Sequence, residues 1–139
     1  LVCAKYRCDA LNIWATDSHS ELQKRLLEFR GMGNAKKVPM MIKMLIRDWG
    51  LNLVSMPAVH IAYDEHARRV LLRAGLMEKD SIADIELAGC RLSPEYPAKY
   101  DDAIWLVGRN FCHPQKPDCE NCPFTNACAK KNIRQTAEL

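Results

Sequence analysis

This 139-residue sequence has no long apolar run, and its uninterrupted apolar stretches fall far short of the roughly 20 residues that cross a bilayer. No basic segment followed by an apolar one comes after Leu1, as it would in a secretory signal. Disorder is excluded as well, because apolar residues make up 48% of the chain and charged residues only 27%. We therefore expect a globular, soluble protein that is not exported.

The sequence also lacks strand signals, since no segment alternates polar and apolar positions between turn residues. Repeats, low-complexity tracts and flexible linkers are absent, so no domain boundary is apparent. Helix signals are frequent: Ser18 and Glu21 have the spacing of a capping box, and Gly50 and Gly75 follow apolar stripes. The predicted fold class is all-α, with helical segments at 1–14, 18–31, 38–49, 65–74, 81–92 and 100–111.

Charge is spread unevenly, although the net charge is only +3. Residues 24–47 contain one acid, Glu28, against the basic residues Lys24, Arg25, Arg30, Lys36, Lys37, Lys43 and Arg47. Residues 80–102 are correspondingly acidic. This asymmetry is typical of a surface that faces a polyanion, and a merely solvated basic face is the alternative.

A glycine turn interrupts the basic region at Gly31-Met32-Gly33-Asn34. A helix, a Gly-x-Gly turn and a second helix form the layout of a helix-hairpin-helix, in which backbone amides and a helix N-terminus approach a nucleic-acid phosphate. The predicted DNA-binding residues are Gly31, Met32, Gly33, Asn34, Lys36 and Lys37. An ordinary turn between helices is the alternative interpretation.

Asp64 stands where a helix is predicted to begin, in the segment Asp64-Glu65-His66. On local evidence alone its most common use is to cap that helix, ahead of any catalytic role. His60 and His66 could form a metal pair, but no further ligand is spaced to join them.

Seven cysteines occur, and three of them, Cys3, Cys8 and Cys90, are scattered among apolar neighbours. The other four follow a C-x6-C-x2-C-x5-C pattern and are Cys112, Cys119, Cys122 and Cys128. Four thiolates in one loop are typical of a zinc ion or an iron–sulfur cluster, and structural disulfides are the third possibility.

These features together resemble the endonuclease III branch of the helix-hairpin-helix DNA glycosylases, from about residue 20 to residue 128. The family's terminal loop has the same cysteine spacing and binds a 4Fe-4S cluster, so the resemblance implies this cofactor on Cys112, Cys119, Cys122 and Cys128. The segment Asp64-x-His66-x-x-Arg69-Val70 is similar to the family's D-x-H-x-x-R-V segment. The resemblance therefore implies that Asp64 is the catalytic aspartate.

The family's catalytic lysine follows the hairpin, where this chain departs from the usual pattern. Without a gap, Ala35 occupies the lysine position; with one residue inserted in the turn, Lys36 does. The apolar offsets of Val38, Met40, Met41 and Ile42 favour the inserted register. Lys36 would then attack the sugar as nucleophile, whereas Ala35 would leave water in that role.

The resemblance implies a base-excision repair glycosylase, possessing lyase activity if Lys36 is the nucleophile, that acts on damaged bases in duplex DNA. We expect an intracellular monomer, cytoplasmic or in the nucleoid or nucleus, without a membrane partner. Family members have several helices ahead of the position of Leu1, so we expect a piece of a longer protein or a shortened relative. The alternatives are a DNA-binding module without activity and a helical interaction domain held together by zinc.

The expected organisation has three parts. Residues 1–111 form a helical region, with the helix-hairpin-helix at about 20–49 and the helix of the catalytic aspartate at 64–74. Residues 112–128 form the cluster loop, and residues 129–139 form a C-terminal tail.

Overall fold

The computed structural model describes residues 1–33 and 36–133. Within these residues the regular structure consists of α-helices and short 3-10 turns, and no strand occurs, which confirms the predicted all-α class. No helix in the described part of the chain is long and apolar enough to span a membrane. The helices are α1 (Val2–Tyr6), α2 (His19–Leu27), α3 (Lys37–Trp49), α4 (Glu65–Ala74), α5 (Ile82–Leu92) and α6 (Asp101–Asn110).

Most helix ends lie where the capping signals place them. The Ser18 hydroxyl accepts a hydrogen bond from the Glu21 amide at 3.3 Å at the start of α2, and Ser81 caps α5 in the same way. Gly50 and Gly75 end α3 and α4 with φ of 66° and 79°, a left-handed conformation that glycine adopts without steric cost. Local capping chemistry therefore fixes these boundaries.

Two predicted helices are shorter than expected. The segment 1–14 is split because Arg7 and Cys8 have φ of 54° and 59°, after which Asp9 caps a separate 3-10 turn, Ala10–Ile13. Helix α2 ends at Leu27 and does not continue to Gly31. In both places, short turn hydrogen bonds replace the helical pattern that the apolar spacing predicted.

The apolar side chains form two cores. The N-terminal core is built mainly from α2 and α3 and contains Leu22, Leu26, Val38, Ile42 and Leu45. The C-terminal core is built mainly from α4, α5 and α6 and contains Ala67, Val70, Leu71, Ile85, Ala88, Ile104 and Val107. Helices α4 and α6 approach closely, because a Cβ atom at Gly108 would lie 2.6 Å from the Cβ of His66.

Candidate functional site

Asp64 occupies the N-cap position of α4, as its sequence context predicts. Its Oδ1 atom accepts hydrogen bonds from the amides of His66 and Ala67 at 2.9 and 3.1 Å. Only 12% of the side chain is exposed. The cap uses one carboxylate oxygen and leaves the other free to face a different partner.

That partner is Lys36, which immediately precedes α3. The Lys36 Nζ atom lies 3.3 Å from Oδ2 of Asp64, and the lysine side chain is 53% exposed. The structure thus brings together two residues that the sequence analysis selected from separate motifs. A cationic amine and a carboxylate at this distance can form an ion pair or exchange a proton.

The glycine turn leads directly into this site. Gly31 has φ of 87°, and the Lys37 ammonium donates to its carbonyl oxygen at 2.7 Å. The Val38 amide donates to the carbonyl of Gly33 at 3.1 Å. The side chain of Met32 is half-buried against the N-terminal core, whereas Gly31, Gly33, Lys36 and Lys37 are exposed.

Two of the predicted positions in this turn cannot be compared with the structure. Asn34, predicted to bind DNA, and Ala35, the alternative lysine position, lie outside the described residues.

A cavity of about 200 Å³ lies beside Asp64. Its lining combines apolar side chains with acidic and basic ones: Met40, Lys43, Met44, Arg47, Ala62, Asp64, Asp101, Asp102 and Trp105. The buried Lys43 ammonium donates to carboxylate oxygens of Asp101 and Asp102, both at 2.7 Å. Arg47 donates to the second oxygen of Asp102 at 2.8 Å.

The sequence analysis missed this ion-pair network. It noted Lys43 and Arg47 only as part of a basic stretch, and Asp101 and Asp102 only as part of an acidic one. The two signs of charge stand more than 50 positions apart in the chain. The available signal in the sequence was an excess of basic residues in one segment and of acidic residues in another. Opposite charges on neighbouring helices attract each other more strongly when they are partly desolvated.

Burial and hydrogen bonding act against each other in this network. Burial lowers the pKa of Lys43, but hydrogen bonds to the two aspartates outweigh this effect and the net shift is upward. Burial raises the pKa of Asp102. Hydrogen bonds from Lys43 and Arg47 together lower it by more, so the net shift of this pKa is downward. Asp101 is the most deeply buried of the acids, and burial raises its pKa despite the Lys43 ammonium.

The two candidate metal histidines lie in different surroundings. The His66 ring packs edge-on against Trp105, with centroids 5.7 Å apart, and its Nδ1 atom lies 3.0 Å from Nη2 of Arg69. His60 lines a separate cavity together with His19. Among the described residues, no group of three or more His, Cys, Asp and Glu side chains is arranged to hold a single metal ion.

The four loop cysteines line one small cavity of about 20 Å³ between the loop and helices α4 and α6. Apolar side chains complete its wall, among them Val70, Val107, Phe111 and Phe124. All seven cysteines are free thiols, so none of them forms the disulfides that the spacing left open. The pKa of Cys119 is raised, mainly by burial and also by the other three loop cysteines, which surround the same space. The nearby Lys130 ammonium acts in the opposite direction and lowers this pKa.

Arg73, near the C-terminal end of α4, holds the start of the cysteine loop. It donates to the carbonyl oxygens of His113 and Pro114 at 2.6 and 2.7 Å, and to the Cys112 sulfur at 3.4 Å. The Lys130 amide lies 3.4 Å from the Cys128 sulfur as a second donor. Donors aimed at sulfur stabilise thiolates, which are the form of cysteine that binds metals and iron–sulfur clusters.

The chain resembles known proteins in sequence and in fold. The chain is 29% identical to endonuclease III of Bacillus subtilis (strain 168) in an alignment that covers 76% of the chain and 59% of that protein. No family model matches the sequence.

A solved structure with the same helical fold is a trapped endonuclease III–DNA covalent intermediate, an estranged-adenine complex. It superposes with a TM-score of 0.62 at 23% identity, over 93% of this chain and 52% of the other. The chain therefore spans little more than half the length of the proteins it matches, and it is endonuclease III-like in sequence and fold.

Proposed function

We propose that this chain carries the catalytic half of a base-excision repair DNA glycosylase with lyase activity. The observation that carries the proposal is the 3.3 Å approach of Lys36 Nζ to Asp64 Oδ2. The likeness to endonuclease III of Bacillus subtilis supports the same class of reaction. The substrate is a damaged nucleotide in duplex DNA, extruded from the base stack so that its sugar reaches the site.

The glycine turn and the start of α3 form the proposed DNA-binding surface. Exposed backbone at Gly31 and Gly33, together with the ammonium groups of Lys36 and Lys37, can contact phosphates without reading the base sequence. The likeness in fold to an endonuclease III–DNA complex supports this placement. Such contacts position the duplex, and the chemistry then takes place at Lys36.

In the proposed reaction, Asp64 Oδ2 accepts a proton from the Lys36 ammonium, which leaves a neutral amine beside the sugar. The amine attacks the anomeric carbon, and the bond from that carbon to the damaged base breaks with its electron pair leaving on the base. The Asp64 carboxyl group gives this proton to the departing base, and the carboxylate that this regenerates stabilises the positive charge that develops on the sugar. The amine now bound to the anomeric carbon passes a proton through Asp64 to the ring oxygen, the bond between that carbon and the ring oxygen breaks, and a protonated Schiff base forms on the opened sugar. This Schiff base loses a proton at the adjacent carbon and expels the 3′ phosphate, which cuts the strand.

A 4Fe-4S cluster is the proposed cofactor, held by Cys112, Cys119, Cys122 and Cys128, and zinc is the alternative. Support comes from the shared cavity of the four thiols and from the donors aimed at two of the sulfurs. The cluster's role is structural: it fixes the loop on α4, the helix whose first turn is capped by Asp64.

A DNA-binding module without activity is the second candidate. The observation that favours it is that Asp64 Oδ1 already serves as a helix cap, a role that needs no chemistry. In this case, Lys36 is one of several basic residues that face phosphate.

Borohydride trapping on duplex DNA with an abasic site separates the two candidates. We expect the chain to form a covalent adduct, Lys36→Ala to abolish it, and Lys24→Ala, at an exposed lysine of α2, to retain it. Asp64→Asn keeps an acceptor for the helix cap and costs well under about 1 kcal/mol of stability, so loss of trapping in a folded Asp64→Asn variant assigns chemistry to the carboxylate. DNA binding without any adduct in the unmodified chain would favour the binding module.

A further inference from the structure

The two residues proposed to react come from different cores of the molecule. Lys36 leads into α3, whose buried apolar side chains belong to the N-terminal core. Asp64 leads into α4, whose buried side chains belong to the C-terminal core. The distance between Lys36 Nζ and Asp64 Oδ2 therefore depends on how α3 is held against the helices of the C-terminal core.

A set of ion pairs crosses the cavity beside this site. Lys43 and Arg47 lie four positions apart on α3, a spacing that places both on one face of the helix. From this face Lys43 contacts both aspartates in the first turn of α6, and Arg47 contacts the second of them. The contacts join α3 to α6 along the wall of the cavity that contains Asp64.

Lys43 is the buried cation of this set of ion pairs. Its side chain is 9% exposed, that of Asp101 is 6% exposed, and both of its contacts measure 2.7 Å. An ammonium held between two carboxylates cannot slide along α6 without leaving a buried charge unpaired, which is costly. A buried ion pair of this kind is best suited to fixing the register between elements.

We propose that Lys43 is a positioning residue that sets the separation of Lys36 and Asp64 by locking α3 against α6. The inference rests on the proposed function for the catalytic roles of Lys36 and Asp64. The ion pairs between α3 and α6 are present whether or not the chain reacts with DNA. The positioning role of Lys43 and the proposed function can therefore be tested separately.

A water-soluble carbodiimide tests the geometry without DNA. The reagent activates a carboxylate, a neighbouring amine displaces the activating group as a urea, and an amide forms with net loss of one water. Peptide mass spectrometry then measures the yield of the Lys36–Asp64 amide. We expect this amide in the unmodified chain and in Lys24→Met, and a fall of about tenfold in Lys43→Met, because small displacements strongly reduce reactions between fixed groups.

Two further variants keep the test decisive if Lys43→Met does not fold. Lys43→Arg can still bridge both aspartates and should restore most of the Lys36–Asp64 amide. Asp102→Asn retains the contact between Lys43 and Asp101 and should lower the yield by about twofold or more. A yield in folded Lys43→Met or Asp102→Asn equal to that of the unmodified chain would overturn the inference.

The catalytic consequence is measured on abasic duplex DNA. Under the inference, Lys43→Met slows borohydride trapping by about tenfold or more while the affinity for DNA stays within about twofold, and Lys43→Arg recovers the rate. Equal losses of trapping and affinity would overturn the positioning role. If the unmodified chain never traps but the carbodiimide yields respond as described, the proposed function fails and the geometric lock stands.

Discussion

The Nε atom of Arg69 donates to the carbonyl oxygen of Cys112 at 2.6 Å. Nη2 of the same guanidinium donates to the carbonyl of Gly108 at 3.0 Å, and the side chain is only 12% exposed. Arg69 lies on α4, so this one residue ties the helix that begins at Asp64 to the end of α6 and to the first cysteine of the loop.

We expect Arg69→Met to lower the free energy of unfolding by about 1–3 kcal/mol, because two partly buried carbonyl groups lose their donors. Urea unfolding followed by circular dichroism measures the change, and Arg91→Met, at an exposed position of α5, is the control. Equal stability of the two variants would contradict the bridging role of Arg69.

Replacing a loop cysteine should affect the loop far more than replacing a cysteine elsewhere. Cys122→Ser removes a proposed cluster ligand, and metal-bound loops of this kind depend on their metal for folding. We expect loss of iron, sulfide and visible absorption from anaerobically purified protein, with Cys90→Ser as the matched control. A colourless protein with one zinc ion and no sulfide would show that the cluster assignment is wrong.

The proposed DNA-binding surface predicts a strong dependence on salt. Contacts between lysines and phosphates release counterions, so affinity should fall steeply as salt rises and should depend little on base sequence. Lys37→Ala should reduce the slope of log affinity against log salt by about one. Fluorescence anisotropy with two unrelated duplexes measures both effects. Affinity that is unchanged between low and moderate salt would argue against DNA binding at this surface.

The ion pairs of Asp102 predict a loss of stability in acid. Its folded pKa lies below the ordinary value of 3.8, so its contribution is present above that pH and is lost as pH falls through the folded pKa. The side chain is 47% exposed, so solvent screening limits the contribution to about 1 kcal/mol or less.

Urea unfolding of the unmodified chain and of Asp102→Asn measures this contribution at several pH values. The two should differ at about pH 6 and converge towards about pH 2, and added salt should narrow the difference at the higher pH. A difference that is constant over this range would contradict the prediction.

The helix boundaries that were predicted correctly from the sequence are those set by contacts between neighbouring residues. Ser18, Gly50 and Gly75 mark helix ends through contacts with residues a few positions away, and each boundary is confirmed. Asp64 as a helix cap follows from the same rules, and its catalytic role stays a prediction.

Such local rules do not predict pairing between residues that are far apart in the chain. Lys43 meets Asp101 across 58 positions, and no local pattern indicates which acid a buried lysine will find. The break at Arg7 and Cys8 was missed for a related reason: apolar spacing favours a continuous helix, whereas the observed chain turns so that Tyr6 is buried in the N-terminal core.

The double use of the Asp64 carboxylate has an entropic consequence. Two backbone amides hold Oδ1, so the rotation of the side chain is already restricted before any substrate arrives. A carboxylate on a mobile loop would have to give up that freedom during the reaction, which raises the barrier. Here the freedom is lost during folding, and under the proposed function Oδ2 already points towards Lys36 before DNA binds.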